Sequence, residues 1–378
     1  MKKIYLDYSA TTPVSDLVFN EMKPYFSHTF ANADSLYEWG RECAYAVDKA
    51  RREIAGLIGA KPEEIYFTSG GSESDNWAIK GISFANKNKG NHIITSQIEH
   101  PAVINTCKWL EENGFEVTYL PVDKYGLVSE NDLKNAIRPQ TILVSVMLVN
   151  NEIGAIQPIC NLARIAKENG VYFHSDAVQG VGYESIDVNV LGVDLMSLSA
   201  HKFFGPKGVG ILYVRKGTKI DKLIHGGHQE LAMRGGTTNT PLIVGTACAL
   251  KKAIENIEVA NEKVNAMRNR FEKRILTEIP NTYANGDNKR VAHNCSITFC
   301  GIEASVLLFR LDMEGVFASA GSACSSGSIE PSHVLKAIGL SDADAKSTLR
   351  FSFSSLTTDD EVDKAVDVIK KCVQSIRN

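Results

Sequence analysis

Short apolar runs separated by stretches of helical period constrain this chain more than any other feature. Ile65-Tyr66-Phe67-Thr68, Ile93-Ile94-Thr95, Val117-Thr118-Tyr119-Leu120, Ile142-Leu143-Val144-Ser145-Val146, Val171-Tyr172-Phe173 and Leu195 to Ala200 read as strands, and helical patterns fall between most of them. Strands joined by helices need crossover connections, so the spacing predicts an α/β fold whose mainly parallel sheet is covered on both faces. Ligands of such sheets bind beyond the carboxyl ends of the strands, and chemistry is therefore expected just after each apolar run.

Suitable residues stand there. Ser69-Gly70-Gly71-Ser72-Glu73 follows the first run and opens a helix, a turn whose small residues let backbone amides approach an anion. Its spacing matches neither a P-loop nor GxGxxG, which favours a single phosphate over a nucleotide. Glu99-His100-Pro101 places an imidazole at a helix start, Asn150-Asn151-Glu152-Ile153-Gly154 follows the fourth run, and His174-Ser175-Asp176 puts an aspartate at the end of the fifth. The sixth ends in Ser199-Ala200-His201-Lys202, after which Gly205-Pro206-Lys207-Gly208 turns the chain into a further strand, Val209 to Val214. Each has an ordinary reading when taken singly: a helix cap for Asp176 or His100, a surface lysine for Lys202. As a set they are the parts that hold pyridoxal phosphate, namely an anion site, a ring stack, a partner for the pyridine nitrogen and an amine for a Schiff base.

Composition narrows the partners. A chain of 378 residues, 44% hydrophobic and 22% charged, can bury a large core and has the length of two or three folding units. With a net charge of -3 and no basic run, it offers no general attraction to nucleic acid or to an anionic membrane. No apolar stretch is long enough for a signal peptide or a bilayer span, so a cytoplasmic location is expected. The eight cysteines form no CxxC pair, which predicts neither a zinc site nor a disulfide framework and leaves most of them as small core residues. His225-Gly226-Gly227-His228 is likewise poor metal-ligand spacing, and no metal is expected.

Outside the repeating region, Lys3 to Asp7 reads as a short strand, followed by an amphipathic helix to about Tyr25 and another from Ala44 to Ile58. A long helical stretch runs from about Leu242 to Ile279. Beyond it, Cys295 to Phe299, Val316 to Ala318 and Leu349 to Phe353 are expected strands, with helices at Glu303 to Leu311 and Ser332 to Ile338. Thr358-Asp359-Asp360-Glu361 is a capping box that starts a last helix. This region predicts a small sheet with helices on one side, completed by N-terminal residues.

Along nearly its full length the chain resembles the cysteine desulfurases of the class V aminotransferase group. The resemblance rests on Tyr5-Leu6-Asp7-Tyr8-Ser9-Ala10-Thr11-Thr12, Thr68 to Glu73, Glu99-His100, Asn150 to Gly154, His174-Ser175-Asp176-Ala177-Val178-Gln179, Ser199 to Lys202 and Gly321-Ser322-Ala323-Cys324. It implies pyridoxal-phosphate fold type I, with a mainly parallel seven-stranded sheet in a large domain (residues 15–255) and a smaller α+β domain (residues 1–14 and 256–378). It also implies roles. Lys202 carries the cofactor and acts as the base at Cα, Asp176 faces the pyridine nitrogen, and His100 stacks on the ring and takes part in proton transfer. Gln179 donates to the phenolic oxygen, while Gly71, Ser72, Ser199 and His201 bind phosphate. Asn151 and Arg350 hold the substrate α-carboxylate. The segment Arg234-Gly235-Gly236-Thr237 crosses to a homodimer partner, where Thr237 reaches the other cofactor phosphate.

Cys324 differs from the other cysteines in lying within Ser319-Ala320-Gly321-Ser322-Ala323-Cys324-Ser325-Ser326-Gly327-Ser328, a stretch too polar and Gly-rich for a packed core. An accessible thiolate there can take the sulfur of L-cysteine, leaving L-alanine and an enzyme persulfide. In the family's longer-loop group that sulfur passes to an acceptor protein, such as an iron-sulfur scaffold or a tRNA thiolation enzyme. Ala31-Asn32-Ala33-Asp34-Ser35-Leu36-Tyr37 departs from the family's pattern: Asn32, a substrate contact, is kept while its neighbours differ. Two other readings stand beside the desulfurase. A selenocysteine lyase or related lyase or transaminase is disfavoured by Cys324 in its stretch, and an idle sulfur carrier is disfavoured by intact Lys202, Asp176 and His100.

Overall fold

The computed structural model describes residues 3–287, 289–321 and 331–378. Its twelve strands are β1 (Ile4–Tyr5), β2 (Ile65–Thr68), β3 (His92–Ser96), β4 (Glu116–Leu120), β5 (Thr141–Ser145), β6 (Tyr172–Asp176), β7 (Leu195–Ser199), β8 (Gly210–Val214), β9 (Thr282–Asn285), β10 (Asn294–Phe299), β11 (Val316–Phe317) and β12 (Thr348–Ser352). Seven of them form one sheet in the order β2-β8-β7-β6-β5-β3-β4. Only β8 runs against its neighbours, pairing antiparallel with β2 and with β7 from Leu195↔Val214 to Ser199↔Gly210. The other six strands share a direction, so Thr68, Ser96, Ser145, Asp176 and Ser199 all end at one edge of the sheet.

Helices cover both faces of this sheet, and alternation along the strands divides their side chains. Met196, Leu198, Ile211 and Tyr213 join one core with Ile54, Ile58 and Ile243, while Leu195, Leu212 and Val214 join another with Trp77, Ile82 and Leu110. Both faces are apolar, which is why β7 and β8 read as continuous runs rather than alternating ones.

A three-stranded antiparallel sheet, β12-β10-β9, and the parallel pair β1-β11 make up the rest. Bridges Asp7↔Ser352 and Ser319↔Arg350 join them, so N-terminal residues do complete the small sheet. Phe271, Ile275, Phe299, Phe351 and Ile369 share a separate core with Ile4 and Leu6. A small cluster, Ile98, Ile153 and Ala155 with Val334, Leu335, Ile338 and Ala345, ties this part to the loops of the large sheet.

Three boundaries differ from the sequence pattern. The stretch Leu242 to Ile279 forms two helices, Thr240–Glu255 and Ile257–Glu278. They break at Asn256, whose amide donates to the Lys252 carbonyl (2.8 Å) and so competes with the helical ladder. The first helix stops at Met22, because Pro24 starts a separate short turn, Pro24–Ser27. Strand β9 escaped detection because Thr282–Asn285 has no apolar run of its own.

Candidate active site

Beyond the shared edge of the large sheet lies a cavity of about 180 Å³, lined by Gly71, Ser72, His100, Asn151, Asp176, Gln179, Ser199, His201, Lys202 and Arg350, among others. Ten residues singled out in sequence therefore converge on one space. Ser9, Ala10, Asp75, Met147 and Val178 complete its wall.

Each element end presents its group for a local reason. The helix Gly71–Ala85 starts from Gly70 with no side-chain cap, which leaves first-turn amides available to an anion. A Cβ on Gly71 would stand 2.9 Å from Val178 Cγ2 and 3.5 Å from Ser199 Cβ, so only glycine lets this turn approach so closely. His100 caps the helix Pro101–Glu112, its Nδ1 accepting the Ala102 amide at 3.1 Å. That bond places the ring proton on Nε2. Asp176 Oδ1 accepts the Val178 amide (2.9 Å) at the end of β6. Lys202 Nζ donates to the carbonyls of Ser9 (2.5 Å) and Ala10 (2.8 Å), which hold the amine in the cavity.

Arg350 is not the exposed edge charge that its strand position also allowed. It is 1% exposed, donates through Nη2 to Asp7 Oδ1 (2.8 Å) and through Nη1 to the Asn151 carbonyl (2.9 Å), and keeps Nε buried without a partner. Gln179 donates to the Ser9 carbonyl (2.9 Å), and His201 Nδ1 meets Thr11 Oγ1 (3.1 Å).

Burial sets the charge states. It pushes the His100 imidazole down to about 4, with the Lys202 and His333 charges adding to the effect, so His100 is neutral. Burial raises Asp176 to about 6, against the opposing pull of the Val178 amide and the Lys202 charge. Behind Asp176 lies a layer that the sequence reading did not single out. His174 is depressed to about 3 by burial, with its ring nitrogens on Ser145 Oγ (2.8 Å) and Ser197 Oγ (3.0 Å). Asp75, 3.7 Å from His174, is raised first by burial and then by the charge of Asp176. Glu99 is raised to about 8 by burial, despite donors from Ser96 Oγ (2.5 Å) and the Met147 amide (3.0 Å). Burial likewise raises Glu152, against the Ser332 hydroxyl and the His333 and Arg350 charges. The available signal was a polar residue inside an apolar pattern: Asp75 beside Trp77-Ala78, and His174 after Tyr172-Phe173.

Two expected site residues stand apart from the cavity lining. Asn32 Oδ1 accepts the Asp34 amide (3.0 Å) in a surface loop, and Thr237 precedes the helix Thr240–Glu255. The two segments are linked through Gln229, whose Nε2 donates to Asp34 Oδ2 (2.6 Å) and whose Oε1 accepts the Gly236 amide (3.3 Å). Cys324 lies outside the described residues. Cys43, Cys107, Cys295 and Cys372 are buried as expected of core thiols, but Cys160 is exposed on the outer side of the helix Ile159–Glu168. Among the described residues, no group of three or more His, Cys, Asp or Glu could hold a metal ion, and no helix is long and apolar enough to cross a membrane.

The seven-stranded sheet, with this lysine, aspartate and imidazole at its edge, is the fold of a fold type I pyridoxal-phosphate protein. The aminotransferase class-V family model matches residues 4–365, and the chain belongs to that family. Among its relatives, the cysteine desulfurase IscS of Methanosarcina thermophila is 53% identical, aligned over 100% of this chain and 93% of its own length. The cysteine desulfurase IscS of Clostridium botulinum strain Hall is 49% identical over 100% and 96%. Among solved structures, a NifS-like protein superposes with a TM-score of 0.93 at 36% identity, covering 99% of this chain and 100% of that one. SspA in complex with cysteine gives 0.82 at 40% identity, covering 94% and 100%.

Proposed function

We propose that this chain is a pyridoxal-phosphate-dependent cysteine desulfurase that converts L-cysteine to L-alanine and leaves the sulfur as a persulfide on Cys324. The observation that carries the reading is the convergence of Lys202, Asp176 and His100 on a single cavity beside an uncapped helix start. The residues fit the cofactor. The Gly71 turn with Ser72, Ser199 and His201 would take its phosphate, Asp176 would pair with the ring nitrogen, His100 would stack on the ring, and Gln179 would donate to its phenolic oxygen. When bound, the cofactor supplies an electron sink for the substrate Cα.

The chain's own groups do the rest. Arg350 and Asn151 orient the substrate carboxylate, with the buried Arg350 Nε as a donor awaiting a partner. Lys202 Nζ takes and returns the Cα proton. Asp176, anionic above about 6, keeps the ring nitrogen protonated. His100, neutral with its proton on Nε2, is a donor rather than a competing base. The Cys324 thiolate attacks the substrate sulfur: an S–S bond forms, the Cβ–S bond breaks with its electron pair left on carbon, and Cβ takes a proton. Both sulfurs are oxidised by one unit and Cβ is reduced by two, so the step balances without an outside oxidant.

The persulfide then passes to an acceptor protein, an iron-sulfur scaffold or a tRNA thiolation enzyme, in the cytoplasm. A homodimer fits the surface, because the Asn32 and Thr237 segments adjoin each other away from this protomer's own cavity. Separate cores support a large domain of residues 15–255 and a small one of residues 1–14 and 256–378.

The test uses two variants. Lys202→Ala should lose the visible absorbance of the bound cofactor. Cys324→Ser should keep that absorbance and its response to cysteine, yet release almost no alanine. Undiminished alanine from Cys324→Ser would sink the persulfide route, and an unchanged cofactor band in Lys202→Ala would sink the lysine assignment.

A further inference from the structure

Strand β2 forms one edge of the large sheet, so the groups on its open side need partners from outside the ladder. Two charged side chains supply them. Glu230 Oε2 accepts the Phe67 amide (2.8 Å), and Arg51, from the helix Glu38–Leu57, donates to the Ile65 carbonyl. The two also close on each other. Arg51 Nη1 and Nη2 each lie 2.9 Å from a Glu230 carboxylate oxygen, and the guanidinium carbon is 4.7 Å from the centre of the Phe67 ring.

That pair anchors a turn of unusual shape. Glu230, Leu231 and Ala232 stand in succession at φ +46°, +56° and +62°, the left-handed region in which a Cβ crowds its own carbonyl. Such a run of non-glycine residues persists only where the surroundings fix it. Here the buried contact with Arg51 does so, helped by the Ala232 amide on the His228 carbonyl (3.0 Å) and the Met233 amide on the Glu230 carbonyl (3.0 Å). The turn delivers Arg234 to the start of the helix Gly71–Ala85. Its Nε and Nη2 lie 2.9 and 3.0 Å from the two oxygens of Glu73, a bidentate fork, and Glu73 Oε2 also accepts the Ser69 amide (2.8 Å). Burial would raise the Glu73 carboxyl, but the Arg234 and Ser69 donors outweigh it and hold the acid below its ordinary range.

The loop between Phe67 and Glu73 is the one that brings Gly71 and Ser72 to the cavity. A single short segment, residues 230–234, fastens both of its ends: Glu230 at Phe67, and Arg234 at Glu73. We infer that Glu73 and Arg234 are positioning residues for the cofactor phosphate: the left-handed turn, anchored on the open edge of β2, sets their ion pair so that the Ser69–Ser72 loop is shaped for an anion before one arrives. The inference rests on the reading that the cavity takes pyridoxal phosphate with its phosphate at the Gly71 turn. It predicts a loss confined to the phosphate.

The test titrates the full-length apoenzyme with pyridoxal phosphate and, separately, with pyridoxal, which offers the same aldehyde and ring without the anion. In Arg234→Met the affinity for pyridoxal phosphate should fall roughly 10-fold while that for pyridoxal stays at the parent value. Glu73→Gln keeps an acceptor for the Ser69 amide but gives up the charge, and should fall in the same direction; Arg234→Met serves alone if this variant does not fold. The double variant should lose no more than the larger single loss, because the two residues act as one unit. Equal losses for the two ligands would mark a general loosening and overturn the role, as would unchanged affinity for both or losses that add in the double variant. Each variant should sediment as the parent does, and a selective loss that comes with altered sedimentation would assign the effect to subunit association instead. The two readings fail differently. A parent that binds pyridoxal as tightly as pyridoxal phosphate removes the anion turn and the cofactor placement proposed above, whereas a parent preference kept intact in Arg234→Met removes only the part played by the ion pair.

Discussion

At the scale of single residues, burial suppresses the ordinary charge of several groups in and behind the cavity. His174, fully enclosed between two serine hydroxyls, titrates near 3 instead of 6.5. The unfolded chain therefore binds a proton that the native state refuses between those values. The stability His174 contributes is complete above 6.5 and is lost as the pH falls toward 3. Glu99 and Asp176 run the other way, since their raised carboxyls bind protons more readily in the native state, and their effect weakens the fold as the pH rises. The net slope mixes both signs, so the useful quantity is a difference between variants. His174→Gln should be less stable than the parent at pH 7, and the gap should narrow by up to about 1.4 kcal/mol per pH unit below 6.5. Urea unfolding at pH 7 and pH 5 reads this directly; a gap independent of pH would mean that His174 is not held neutral.

At the scale of elements, the start of the helix Gly71–Ala85 does most of the positioning, since it brings uncapped amides against Val178, just past β6, across a gap only glycine fits. Gly71→Ala overpacks that gap, at a cost of about 1–3 kcal/mol, and should weaken cofactor binding roughly 5- to 150-fold with little change in the sheet. Equilibrium titration of the apoenzyme with pyridoxal phosphate measures it, and unchanged affinity would exclude the cradle. This element was legible in the sequence as one of a set, since a lone Gly-rich turn is a weak signal but an imidazole, an aspartate and a lysine follow later apolar runs in order. Lys202, Asp176 and His100 were legible for the same reason, each at the end of a run and each with one local cap or turn to fix it. The layer behind them was not. Asp75 and His174 make sense only across strands, through Ser145, Ser197 and Asp176, and no local spacing encodes those neighbours. Asn256 likewise broke a helix through its own side-chain amide, where the periodicity alone predicted continuity.

At the scale of the molecule, one surface calls for a partner. Phe26, Phe30, Leu36, Tyr37, Trp39 and Tyr45 are all exposed within a single stretch, with Leu36 at 90%, and Phe30 and Trp39 meet edge to face at 6.0 Å. Exposed apolar surface of this kind is where the proposed homodimer would associate. If the proposed homodimer uses this surface, Phe30→Asp should shift it toward monomer in sedimentation velocity and lower its cofactor affinity, because Thr237 would then lack the neighbouring site proposed for it; a stable monomeric parent would refute the arrangement. The pairing of Asp7 with Arg350, closed by the bridge from Asp7 to Ser352, bears on synthesis. A polypeptide leaving the ribosome in order has the lysine, aspartate and imidazole of its cavity once residue 202 has emerged, and the sheet that groups them with the Gly71 turn can close once β8 has joined β2 to β7. The guanidinium that would grip the amino acid arrives only with β12 and is held by residues made at the start. On that order of synthesis the groups proposed to hold the cofactor would be complete well before the one proposed to grip the substrate, which waits for Ser352 to bridge back to Asp7.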